Sequence, residues 1–102
     1  MITDIFSTMG GDFRVGVVIK PVSYYFSIGE VRQTVLLTSE SCQILPGKAI
    51  EVADCVCKMQ EELFLRIWQH GYQPGLKDFL TGAIKSNDPE ALKTFLAAFG
   101  KG

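Results

Sequence analysis

The sequence predicts an α+β fold: an antiparallel meander of three to four strands, then one long helix packed on the sheet and two short C-terminal helices. Three observations carry that expectation. Apolar residues recur with period two from residue 13 to about 45, and with period 3.6 from residue 47 to 99. Gly29-Glu30 separates two alternating runs in the position of a hairpin turn. Asp88-Pro89-Glu90 reads as an N-cap, a first-turn proline and a first-turn acid.

Residues 1–12 are expected to form an N-terminal arm, with Ile2, Ile5, Phe6 and Met9 spaced as on a short helix or docking strand before Gly10-Gly11. Residues 13–102 are expected to form a single α+β domain. Its first strand is Phe13 to Ile19, where Phe13, Val15, Val17 and Ile19 alternate with Arg14, Gly16 and Val18. Lys20-Pro21 then turns the chain by a wide bend, because a tight primed turn would ask lysine for a positive φ. Val22, Tyr24, Phe26 and Ile28 form the apolar set of the second strand, and Val31, Gln33, Val35 and Leu37 sit at matching positions on the third. A two-residue type II′ turn with glycine first keeps Ile28 and Val31 on one face, so the two registers agree. A short fourth strand covers Cys42 to Leu45.

After Pro46-Gly47 a wheel of 100° per residue, started at Ala49, gathers Ala53, Val56, Cys57, Leu63, Phe64, Ile67 and Trp68 on one face. The predicted long helix therefore runs to Gly71, a left-handed C-terminal cap. A shorter helix buries Leu76, Phe79, Leu80, Ala83 and Ile84. The last buries Leu92, Phe95, Leu96 and Phe99 and stops at Gly100.

Composition narrows the function classes. The 102 residues are 47% hydrophobic and 21% charged with a net charge of −1, which excludes disorder as the main state and any strong pull towards duplex DNA. The charge-free apolar stretches fall short of the roughly 20 residues that a membrane helix needs. Asp4 stands where a secretory leader would carry basic residues, and three cysteines do not make a disulfide framework. A cytoplasmic protein without cofactor or metal is the expectation.

Candidate chemistry is sparse. On the predicted helix Cys55 and Cys57 would point about 200° apart and could not share an ion, leaving Cys57 in the core and Cys55 as an accessible thiol. His70 falls in the last helical turn, where a protonated imidazole complements the dipole. Glu61 and Glu62 fall on the solvent side. Gln60 falls at the centre of the apolar stripe, where a buried amide needs partners.

With no catalytic constellation, the expected function is a non-enzymatic protein-interaction or regulatory module, homodimeric, docking through Val18, Tyr25, Leu36 and Leu65. These apolar positions fall on the second face of the sheet or opposite the core face of the long helix. One alternative is single-stranded nucleic-acid binding, in which Tyr25 stacks on bases while Arg14 and Arg32 track phosphates. Another is a small-molecule binder or enzyme with Tyr24, Gln60 and His70 around a sheet–helix pocket.

Overall fold

The computed structural model describes residues 2–101. Its elements are α1 (Ile2–Thr8), β1 (Val22–Ile28), β2 (Val31–Leu37), β3 (Cys42–Pro46), β4 (Cys55–Met59), α2 (Glu61–His70), α3 (Leu76–Leu80), β5 (Ile84–Ser86) and α4 (Pro89–Ala98). The strands form one mixed sheet in the order β3-β2-β1-β4-β5. The fold is α+β, with helices packed on the sheet. Among the described residues no helix is long and apolar enough to cross a membrane.

The β1–β2 hairpin has the register its sequence implies, with Ile28 opposite Val31 and Tyr24 opposite Val35. Gly29 takes φ 57°, the positive value that the first position of the turn requires. β3 extends the sheet beyond β2, placing Ile44 opposite Val35.

The meander is corrected at its start, while the short strand expected at Cys42 to Leu45 is present as β3. Phe13 to Ile19 is loop, with a short 3-10 turn over Met9–Asp12 before it. Two local features work against a strand: Gly16 adopts φ 89°, and Pro21 lacks an N–H. The decisive reason is that β1 has only two edges. β2 takes one and β4, running parallel to β1, takes the other.

The long helix is corrected too. Cys55–Met59 is a strand whose Cys55, Cys57 and Met59 point to the core while Lys58 is exposed. A short apolar run fits helical and strand templates almost equally, and β-branched and small residues tip it towards the sheet once a partner edge is available. Gln60 is extended at φ −78° and ψ 156°, and α2 starts only after it. Gly71 ends α2 in the left-handed conformation, as its position implies. The next helix also ends early, at Leu80, because Ile84–Ser86 pairs with β4 as an antiparallel edge strand. α4 follows its capping sequence: Asp88 accepts a hydrogen bond from the Ala91 N–H at 3.1 Å.

The helices and one sheet face enclose a single apolar core. Tyr24, Phe26 and Ile28 of β1 lie under Phe64, Ile67 and Trp68 of α2 and Leu92, Phe95 and Leu96 of α4. Ile2, Ile5, Phe6 and Met9 are buried in the same core, and Phe6 stacks on Phe64 with ring centroids 5.4 Å apart. The opposite sheet face is crossed by the segment joining β3 to β4. The Thr34 hydroxyl on that face donates to the Gly47 carbonyl at 2.8 Å and accepts from the Ala49 N–H at 3.0 Å, which leaves Thr34 fully buried.

Candidate functional site

The loop at 13–21 lifts away from the sheet and creates an apolar groove against β1 and α4. Three features shape it. Val18 anchors the loop, being only 2% exposed, while Val17 and Ile19 stay at the rim and Ile19 is 85% exposed. Val22 and Tyr24 of β1 form the floor, since alternate strand residues share a face. Ala91 and Thr94, small residues on successive turns of α4, leave the wall open. The resulting cavity holds about 390 Å³, with Lys20 as the one charged side chain lining it.

Tyr24 supplies the fixed polar point. Its hydroxyl donates to the Ala91 carbonyl at 2.7 Å, tying the groove floor to the first turn of α4. Burial, helped by the nearby cysteine thiols and by Asp88 and Asp54, pushes the Tyr24 phenol pKa well up, so it stays protonated and neutral.

Beside Tyr24 on β4 lies a thiol pair. The Cys55 and Cys57 sulfurs are 3.5 Å apart, and Ser86 Oγ is 3.6 Å from each. The helical expectation of opposed thiols, with Cys55 accessible, is thus reversed: on a strand both point inward, and both are fully buried. The hydrogen bond to Cys55, then burial, raises the Cys57 thiol; the same bond lowers Cys55. Among the described residues no three His, Cys, Asp or Glu side chains cluster to hold a metal ion.

The residues singled out by sequence scatter over the molecule. Tyr24 lines the groove. Gln60 is exposed and lines a separate cavity at the other end of β1, and His70 is exposed in the last turn of α2, so the three do not meet. Val18 is buried, and Leu65 is half-buried against the core. Leu36 and Tyr25 are half-buried on the strapped sheet face, with the Lys48 ammonium 5.9 Å from the Tyr25 ring centroid. Arg14 is on the loop rather than a strand, its N–H bonded to the Ala98 carbonyl at 2.7 Å. The Arg32 guanidinium folds onto the Gly29 carbonyl at 2.8 Å. Arg14, Tyr25 and Arg32 therefore form no common platform.

Sequence reasoning missed Val17, Ile19, Ala91 and Thr94 as groove residues. The available signal was Gly16 and Pro21 around an alternating run, a combination that argues against a strand interior.

No protein-family profile matches the chain, and neither does any curated protein. Solved structures do match. The stereoselective inverting sec-alkylsulfatase from Pseudomonas sp. superposes with a TM-score of 0.82 at 13% identity, over 97% of this chain but only 16% of the sulfatase. The ubiquinone-synthesis protein UbiJ-SCP2 gives 0.55 at 16% identity, covering 89% of this chain and 70% of that one. Sterol carrier protein 2 like 2 from Aedes aegypti gives 0.53 at 17% identity, covering 94% and 89%. The fold shared with these proteins is the one associated with sterol carrier protein 2.

These likenesses overturn the expectation of a homodimeric protein-docking or regulatory module, and with it the protein and single-stranded nucleic-acid partners. Proteins of this fold carry the names sterol carrier protein, ubiquinone synthesis protein and sec-alkylsulfatase. Of the residues assigned to docking, Val18 is buried and Tyr25, Leu36 and Leu65 are half-buried.

Proposed function

We propose that this chain binds a small lipid-like molecule, an alkyl chain or a flat polycyclic body, in the groove between the 13–21 loop, β1 and α4. The observation that carries the reading is the groove itself, with apolar Val17, Val22 and Ala91 along its length and Ile19 standing in solvent at its mouth. An apolar side chain so exposed gains free energy by covering a ligand. The likeness in fold to sterol carrier proteins supports the same class of ligand.

The chemistry is binding rather than catalysis. Tyr24, the buried polar group of the groove, already donates its proton to a backbone carbonyl and serves to hold the wall. Titration with a pyrene-labelled fatty acid and with dehydroergosterol tests the reading. Saturable binding of either probe is expected, lost in Ala91→Phe, whose ring would fill the groove. Equal binding by a folded Ala91→Phe protein would overturn it.

A further inference from the structure

The second cavity, at the far end of β1, has a different chemistry. It holds about 510 Å³ and is lined by Ser27 of β1, Lys58 of β4, Lys85 of β5 and Gln60. Lys58 stands directly opposite Lys85 in the antiparallel β4–β5 register, and Ser27 is the register neighbour of Lys58 on β1. Like charges directly opposite on a sheet oppose folding unless something neutralises them. Among the described residues neither ammonium has a carboxylate within ion-pair distance, the described ion pair being Lys93 with Glu90.

Ser27 adds an independent observation. It is only 8% exposed, yet its hydroxyl has no hydrogen-bond partner among the described residues. That hydroxyl is not sealed: it opens on the cavity that Ser27 lines and is free to donate to a group that enters it. Gln60, the N-cap residue of α2, lines the cavity and makes no side-chain bond to the helix. The Glu61 side chain packs over Gly29, which lines one rim.

From these features we infer that the Ser27–Lys58–Lys85 cavity is a binding site for a dianionic oxyanion, a phosphate monoester group. Two ammonium groups match two negative charges, and the serine hydroxyl donates to a third oxygen. The group arrives either on a soluble phosphate ester or as the headgroup of a phosphatidic-acid-type lipid. The site is distinct from the apolar groove and stands without it.

The test begins with inorganic phosphate, titrated into the labelled protein at constant ionic strength and followed by amide chemical shifts. Saturable shifts centred on Ser27, Lys58 and Lys85 are expected, weakened at least tenfold in Lys58→Gln with Lys85→Gln. That variant should fold at least as stably as the parent, since it removes a like-charge pair. If it does not fold, Ser27→Ala takes its place, with a several-fold loss expected and unchanged affinity counting against the site. Vesicles of phosphatidylcholine with and without phosphatidic acid separate the sources. Sedimentation that needs phosphatidic acid and Lys58 with Lys85 names the lipid; phosphate binding without sedimentation names a soluble ester. Shifts spread over all surface lysines, or no saturable binding in either arm, would overturn the inference.

Discussion

Cys55 and Cys57 present their sulfurs to each other at 3.5 Å from alternate positions of β4. That relationship exists only because the segment is a strand: two residues advance the chain by a full pleat and return the side chain to the same face. Both thiols are sealed beneath α4, whereas Cys42 is half-buried on the edge strand β3. Burial raises the Cys42 pKa. One thiol per chain should therefore react with a disulfide reagent in the native protein, slowly at neutral pH, and three after denaturation. Two thiols reacting at one rate in the native state would contradict the inward placement of the pair.

Thr34 holds the crossover on the outer face. Replacing it by valine keeps the shape but leaves the Ala49 N–H and the Gly47 carbonyl to find other partners. A loss of roughly 1–3 kcal/mol in urea unfolding is expected, with faster hydrogen exchange along 47–54.

Phe6 tests whether α1 belongs to the core energetically. It is fully buried and contacts both Phe26 and Phe64. Phe6→Ala should cost about 3–5 kcal/mol, a large share of the stability of a chain this size. A loss below 1 kcal/mol would show that the helix docks weakly.

Ligand size tests the groove. Each methylene buried in it contributes about 0.8 kcal/mol, so Kd for an alkyl series should tighten roughly fourfold per carbon until the groove is full. Ile19→Ser, at an exposed rim position, should weaken binding while shifting stability by no more than about 0.5 kcal/mol.

Asp78 links the start of α3 to pH. Its carboxylate accepts from the Gly75 N–H at 2.8 Å and from the Tyr72 hydroxyl at 2.8 Å, which hold its pKa below the usual carboxylate value. A depressed folded pKa stabilises the protein above the unfolded value and loses that contribution as pH falls through the folded one. Stability should drop as pH is lowered below about 4. Asp78→Asn should remove this site's part of the slope, seen in urea midpoints across that window.

Several elements were legible in the residues alone because their signals are local. The hairpin follows from Gly29-Glu30 between matched alternations, the end of α2 from Gly71, and α4 from Asp88, Pro89 and Gly100. Each depends on contacts a few residues apart. Tertiary structure decided the rest. The pairing of Tyr24 with Cys55 joins strands across the crossover, and no local period announces a parallel partner. Once β4 occupies that edge of β1, residues 13–19 cannot pair with β1 and border the groove instead. The edge of a strand accepts one neighbour, and competition for it is settled only when distant segments meet.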